Sequence, residues 1–566
     1  MARRSKQGSL GYVRGYGRGS AHGYASKSNL RMSSRRRPSY LPALLAFISF
    51  VLLLVLLVGG TAWYNYSRFT KAVHAQDSQR VQSLYAAGIK APVPGSSTLF
   101  FWMTTKFATA DLSRAANEGI ETGAVQAFVD TYRETPEIIS EIVIPKAVSA
   151  VEQYKEKILE EHVAHAYLEI GLSLRPENPD LLQSKETFDI LSASRAAFAA
   201  AKKAAEQPYG SEEAADLFEL VAEIDAENYA IAQAEIPELR KKANEEMTTW
   251  TQPVKHFTLN PLLAFPQNTP LDYANDYITV AEFKNVLAQL FDNDYILVGL
   301  ETLYSVNASD TVIPATVRIP KDKKPFVLSI ENLSYAPRHA GRGMVDKLIV
   351  KDDRIATWTA AGHADSEKDV ISFDNDVIPI LDTFIEENPT FSWRGARATI
   401  ALAGYSGNFG YRTAYGAEDQ AEQVEQAKAV AKVLQENGYT FASLGFEYLA
   451  MAEVEPTQIA TDAQLWVDQT SNIVGTTPLF FWPFGTALPQ DSEGAEVLRS
   501  FGYRSFSQTG PNNFEDFTGS ARTDERAFID GGGFNYWPHR YDGYFDVEAV
   551  LDTEGRGLMS YWLEWY

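Results

Sequence analysis

Three hydrophobic patterns follow one another along the chain. Residues 41–64 are almost uniformly apolar, with the runs 44–48 and 51–58 free of charge and of any polar stripe. That length suffices for a helix across a hydrocarbon core of ~30 Å. From 65 to 250 the apolar residues recur at helical spacing. Val148, Val151, Tyr154, Ile158 and Val163 share one face, and Ala215, Leu217, Leu220, Val221 and Ile224 share another. From 251 to 566 helical segments alternate with short apolar runs. A helix over 280–291, with Val280, Phe283, Val286, Leu287 and Leu290 on one side, passes through Asn293 and Asp294 into a strand over 295–298. The same grammar returns in helix 417–435, the Asn437-Gly438 stop and strand 440–444, and again in 494–501 followed by 502–506. Such alternation predicts an α/β fold with a parallel sheet covered by helices, most simply a barrel.

Charge sharpens the division. Residues 1–40 carry ten Lys and Arg and no acid, which leaves 41 basic against 73 acidic side chains, about −32, in the remainder. Arg35, Arg36 and Arg37 precede the apolar run and Trp63 and Tyr64 end it, the arrangement of a positive-inside signal anchor with an aromatic belt. The expected orientation places the N-terminus in the cytoplasm and the bulk of the chain outside. A cleaved signal peptide competes, but the run exceeds the usual ~7–15 residues and the tail before it is long. The Gly/Arg/Tyr tail at 11–19 reads as a disordered, solvated topology signal, so no nucleic-acid partner is expected, although Arg/Gly segments can bind RNA and basic tails attract anionic lipid. The domain division read from these patterns is a basic tail 1–40, an anchor 41–64, a helical region 65–250 and an α/β domain 251–566, with the last boundary near Trp250 and Pro253.

The helical region reads as a spacer or a docking module for a protein partner. Its turns at 174–179 and 224–228 resemble those of tetratricopeptide-like hairpins, but lie 50 positions apart and miss the 34-residue period of such repeats. His162 and His165 stand at i and i+3 without a companion ligand, the pattern of surface or packing histidines.

No cysteine is present, which removes disulfides, thiolate metal sites and thiol nucleophiles. Metal binding would have to come from eight histidines and the carboxylates. The strand 326–330 ends directly in Glu331 and Asn332, and in α/β architectures ligands collect at the carboxyl ends of the strands. Glu331 is therefore the first candidate for catalysis.

This stretch resembles the first motif of the polysaccharide deacetylase (NodB-homology) family, a strand ending in Thr-Phe-Asp-Asp. The resemblance extends in order through 388–397, through the element Gly404-Tyr405-Ser406-Gly407-Asn408-Phe409-Gly410-Tyr411-Arg412-Thr413, through Phe480-Phe481-Trp482-Pro483-Phe484-Gly485, and to 528–531 and 544–550. It implies a distorted (β/α) barrel of about seven strands and membrane-anchored action on cell-wall polysaccharide or peptidoglycan. Deacetylation of that kind uses a divalent metal such as zinc, held by one Asp and two His, with a second Asp as base. Carried over, the resemblance makes Glu331 the base and Asn332 the former ligand, and adds Arg412 and Asp530 as catalytic candidates. No histidine pair lies between Gly404 and Thr413, so the ligand set is incomplete and no metal residue is assigned.

Three alternatives remain open. His339, His363 or His539 could serve as a general acid beside Glu331. Gly404-Tyr405-Ser406-Gly407-Asn408 nearly satisfies a nucleophile elbow, which needs a helix to begin at the serine. A non-catalytic glycan-binding or scaffold domain would use Asn408, Trp482, Trp537 and Tyr541 as flat faces and polar anchors.

Overall fold

The computed structural model describes residues 41–364 and 366–557. The basic tail lies outside the described residues. The chain divides between Ser184 and Lys185 into two compact units.

The first unit is helical. Helix α1, Leu41–His74, is followed by α2, Ser78–Ile89, and α3, Ser96–Glu118, then by further helices as far as Glu161–Leu174. The helix over Leu44–His74 contains an 18-residue window with a mean hydropathy of 2.7 and is long and apolar enough to cross a membrane, a length and composition that suit a signal anchor or a signal sequence. The helix outlasts its apolar run: Phe69, Ala72 and Val73 are buried with Tyr85, Phe100 and Leu112 in the core of this unit. Val151 and Tyr154 face inward as their spacing predicts. Ile158 does not, because its helix stops at Lys155 and the chain turns at Lys157 with φ +59°. His162 and His165 are exposed.

The second unit begins in helices and ends in a barrel. Ser211–Glu219 and Ala226–Glu246 pack around Phe218, Val221 and Ala232, while Leu220 is exposed because the first of these helices has just ended. Glu212 pairs with Arg318 at 2.6 Å, and strand Met247–Trp250 lies antiparallel to Val317–Pro320. The composition change near Trp250 thus marks the passage from helix to strand within this unit.

Seven parallel strands form the barrel: β1 Lys255–Leu259, β2 Lys324–Glu331, β3 Thr399–Leu402, β4 Thr440–Ser443, β5 Leu479–Phe481, β6 Ser505–Thr509 and β7 Arg522–Phe528. Each pairs with the next in sequence, and β7 returns to β1, so the sheet closes. Strand Tyr295–Leu297 pairs with the beginning of β2 while β3 pairs with its end. Helices Val280–Asp292, Val377–Glu387, Gln420–Glu436, Pro456–Leu465 and Glu493–Ser500 fill the successive crossovers. The first carries a capping box, Thr279 with Glu282, which satisfies the free N–H groups of its first turn. Between β6 and β7 a short antiparallel strand, Glu515–Phe517, takes the place of a helix, and the barrel is distorted there.

Strand alternation sends one set of side chains outward and one inward. Phe257, Phe326, Leu328, Ile330, Ile400 and Phe441 pack against the helices. Inside, Val327, Ala401, Ala442, Leu444, Leu479 and Phe481 make an apolar half. The other half is polar. His256, Thr258, Ser329, Glu331, Ser507, Asp524 and Arg526 are all buried there.

Candidate functional site

The carboxyl ends of β1 to β5 open onto a cleft of about 270 Å³. Pro261 follows β1, Asn332, Ser334 and Tyr335 follow β2, Tyr405 follows β3, Tyr448 follows β4 and Phe484 follows β5, with Tyr277, Arg338, His339 and Met344 closing the rim. Every strand in this arc therefore hands its next residues to one concavity, the position from which barrels serve ligands.

Backbone strain is concentrated here. Asn332 (φ +61°), Tyr335 (+42°), Tyr448 (+56°) and Phe484 (+56°) all adopt left-handed conformations that side chains with a Cβ disfavour. Each costs on the order of 1–3 kcal/mol, and such residues cluster where a fold holds groups for a ligand. Their neighbours fix them. Tyr335 donates its hydroxyl to Asp376 at 2.5 Å, and Asp376 also accepts from the Leu262 and Val377 N–H groups. The Asn332 amide donates to Asn260 at 2.9 Å. The Tyr448 and Phe484 rings meet edge to face at 4.8 Å.

Arg412 joins two of these loops. Its guanidinium donates to the carbonyls of Ser334 (3.2 Å), Tyr335 (2.5 Å) and Ser406. The glycines around it permit the path. A Cβ on Gly407, at φ +85°, would strike the Tyr411 carbonyl, and one on Gly410, at φ +94°, would strike Lys347. Arg412 therefore positions the cleft rather than facing a ligand. Asn408 belongs to the same turn, buried and bonded to Thr413 at 2.9 Å. Ser406 lies in this loop and the next helix starts only at Gln420, so no nucleophile elbow forms.

Glu331 sits at the strand tip but points inward. It is 1% exposed and accepts at Oε1 from Arg526 Nε at 2.6 Å and from Thr258 at 3.2 Å. Its other oxygen, Oε2, is buried without a partner. Arg526 is held by the carbonyls of Ser507 (2.5 Å) and Trp482 (3.1 Å) and stands 4.8 Å from the centre of the Phe481 ring. Tyr448 links this pair to the cleft: burial first, then the Glu331 carboxylate, pushes its hydroxyl up to about 12.

Deeper in the barrel His256 bridges Asp524 (Nδ1, 2.7 Å) and Ser329 (Nε2, 2.8 Å). Burial would raise the Asp524 carboxyl, but Arg522, His256 and the Ser507 hydroxyl together hold it well below the carboxylate range. Burial outweighs Asp524 at His256 and lowers the imidazole. His256, Ser329 and Asp524 are each no more than 2% exposed, so this row fills and fixes the polar half of the barrel.

The remaining candidates are dispersed. Asp530 caps helix Gly531–Tyr536 through the Gly533 N–H at 2.6 Å, and burial pushes its carboxyl up to about 6. Trp482 is fully buried and stacked on Phe506 at 5.5 Å, which leaves no face for a ligand. Tyr541 is equally buried, stacked on Phe545 and bonded to the Phe528 carbonyl at 2.6 Å. Trp537 is exposed, with the Arg540 guanidinium 4.2 Å from its ring centre, but it does not line the cleft. Of the three candidate histidines, His363 pairs with Asp346 at 2.9 Å, and His539 lies in the turn Pro538–Tyr541 away from the cleft lining. His339 does line the cleft, bonded to Tyr273 at 2.9 Å; burial, then Arg338 and Arg342, lower it to about 4.

A divalent cation does not fit the strand-tip residues. Glu331 Oε1 is committed to Arg526, Asn332 is turned to Asn260, and among the described residues no three His, Asp or Glu side chains gather to hold an ion. Tyr405, Tyr448 and Phe484 are not among the candidates that the sequence points to; Tyr448 follows the strand that the helix and strand alternation places at 440–444, and Tyr405 and Phe484 lie in the two segments that carry the family resemblance.

No family model matches the sequence, and no curated protein matches it. Among solved structures the chain is similar to the Streptococcus pyogenes deacetylase PplD in complex with acetate, at 13% identity and a TM-score of 0.28, over 49% of this chain and 93% of that one. The barrel itself rests on the strand pairings given above.

Proposed function

We propose that residues 185–566 are a glycan-binding barrel of the cell envelope, held to the membrane by α1 as a signal anchor, with the ligand lying in the tyrosine-lined cleft. One observation carries this reading. The strand-tip carboxylate is withdrawn into an ion pair with Arg526, while the strained residues above it present Tyr448, Phe484 and Asn332 to an open cleft. Flat rings with a few polar anchors suit the apolar faces and hydroxyls of a sugar. Tyr277, Tyr405 and Tyr448 supply rings, and Asn332, Ser334, Arg338 and neutral His339 supply hydrogen bonds. The choice of cell-wall polysaccharide or peptidoglycan comes from the motif resemblance at 326–335, 400–413 and 480–485. Metal-assisted removal of acetyl groups is not part of the proposal, because the Glu331 carboxylate is withdrawn into its ion pair with Arg526 and, among the described residues, no three His, Asp or Glu side chains gather to hold an ion.

Binding of purified cell-wall fragments to the full chain tests this. Tyr448→Ala or Phe484→Ala should each weaken binding about three- to tenfold, the worth of one stacking ring. Unchanged binding in both variants would remove the cleft from the proposal. Acetate released from acetylated glycan and abolished by Glu331→Gln would replace binding with hydrolysis.

A further inference from the structure

The helical unit carries apolar residues that its own core does not use. On α3, Trp102 is 58% exposed, with Phe101 and Leu99 also exposed; on α1, Trp63 and Tyr64 are exposed as well. These residues stand at matching heights. A Cβ on Gly95 would lie 3.7 Å from Val58, so the start of α3 is beside residue 58 of α1. Further along, the Phe107 ring meets Tyr66 (6.2 Å), Phe69 (6.4 Å) and His74 (5.9 Å), a set centred on residue 70. With the Phe100 ring on Phe69 at 6.2 Å, these contacts give offsets from 31 to 41 positions, centred near 36. The two helices therefore climb in parallel, and Phe101 and Trp102 stand within about one turn of Tyr64 and Asn65.

Charge gives the same alignment independently. The chain from 38 to 67 carries no charged residue, and Arg68 is the first after it. Residues 91–105 are likewise free of charge, and Lys106 is the first on α3. By the offset, Lys106 stands near Thr70, within about one turn of Arg68. Two aromatic sets thus share a level, and two cationic residues stand one turn above it, as at the boundary between hydrocarbon and headgroups. A helix rising ~1.5 Å per residue across ~30 Å puts residue 58 at the outer margin of the hydrocarbon if the crossing begins near Leu41.

The connection between α2 and α3 suits that depth. Pro92 and Pro94 have no N–H to desolvate, and the Ser96 N–H and hydroxyl both donate to the Val93 carbonyl, at 3.1 and 2.7 Å. Lys90, at the edge of the segment, can extend its ammonium toward the headgroups.

We propose that residues 91–105 form a second membrane contact, in which the α2–α3 connection and the first two turns of α3 enter the outer leaflet beside α1. Leu99, Phe101 and Trp102 are its anchors and lipid is their partner. The helical unit is then seated on the bilayer, not held away from it. This rests on the reading of α1 as a membrane-spanning anchor.

The absence of cysteine lets a single reporter thiol be placed at will. The full chain is reconstituted in lipid vesicles as the variants Thr98→Cys, Leu57→Cys and Glu118→Cys, each labelled with an environment-sensitive fluorophore. Quenching by spin-labelled lipid is compared with quenching by aqueous iodide. The expected result is lipid quenching at 57 and 98 and iodide quenching at 118. Adding Phe101→Asp and Trp102→Asp should move the reporter at 98 from lipid to iodide and leave 57 unchanged. Lipid quenching at 57 with iodide quenching at 98 overturns the proposal. So does a reporter at 98 shielded from both quenchers, the signature of a protein partner on this face. A reporter at 57 that lipid fails to quench overturns the anchor itself, and is distinguished by that position alone.

Discussion

Arg526 donates through Nε to Glu331 Oε1 at 2.6 Å, and both side chains are about 1% exposed inside the barrel. Two charges out of water are tolerable only together. Arg526→Met leaves the Glu331 carboxylate buried and uncompensated, a loss of about 3–5 kcal/mol. The double variant Glu331→Leu, Arg526→Met should recover a substantial part of that loss, since an apolar pair of similar volume often replaces a buried ion pair at little cost. Urea unfolding of the four proteins of this cycle measures the coupling. A single Arg526→Met variant as stable as the parent would show that the pair is not formed.

Trp482 and Tyr448 separate packing from recognition. Trp482 is fully buried against Phe480 and Phe506. Its truncation to Ala should cost about 3–5 kcal/mol. Trp482→Phe should be much milder, because the indole N–H has no hydrogen-bond partner to lose. Neither change should alter glycan affinity once the protein is folded, whereas Tyr448→Ala should lower affinity with little effect on the unfolding midpoint. Calorimetric titration beside thermal melts distinguishes the two.

His339 provides a pH test whose sign is fixed by the direction of its shift. Burial and two arginines hold its imidazole at about 4, below the ordinary value of about 6.5. Between those values the unfolded chain takes up a proton that the folded chain excludes. The contribution of His339 to stability is thus level above pH ~6.5 and declines as pH falls toward 4. The difference in unfolding free energy between the parent and His339→Gln should change over that window and stay flat above it. Glycan binding should likewise be insensitive to pH between about 5 and 8 as far as this group is concerned, because it remains neutral throughout.

The sequence made some of this legible and hid the rest for identifiable reasons. Helices Val280–Asp292 and Gln420–Glu436 and strands β2 and β4 follow from apolar periodicity and from stops such as Asn437-Gly438. The placement of Glu331 at a strand tip also follows from the run before it. Its partner does not. Arg526 is 195 positions away, on a strand whose inward residues are Arg522, Asp524 and Arg526. A strand facing a polar barrel interior has no hydrophobic alternation to betray it, and the closure of the sheet by β7 was unreadable for that reason. Trp482 and Tyr541 read as flat faces for a glycan because their aromatic rings lie close to polar loop residues in the sequence. Their burial depends on Phe506 and Phe545, which only the closed fold brings to them.

Chelation is expected to be without effect. With Glu331 held by Arg526 and no His, Asp or Glu triad gathered among the described residues, prolonged treatment with a strong chelator should leave the unfolding midpoint and glycan affinity unchanged, and metal analysis of the purified chain should find no stoichiometric divalent ion bound at the strand tips. A midpoint that falls on chelation and returns with zinc would mean that a cation joins the cleft.

Arg412 offers the sharpest test of how the cleft is held. Its guanidinium reaches three carbonyls on two loops, those of Ser334 and Tyr335 after β2 and of Ser406 after β3, and so ties Tyr335 to Tyr405 across the mouth. A lysine ammonium is a point donor and cannot span the fork. Arg412→Lys should therefore weaken glycan binding while keeping the net charge, and Arg412→Ala should weaken it further. Hydrogen exchange should rise in both loops and remain low in β2 and β3, since the strands are held by their ladders. Exchange confined to one loop, or an affinity unaffected by Arg412→Ala, would show that the tyrosines are positioned by their own packing alone.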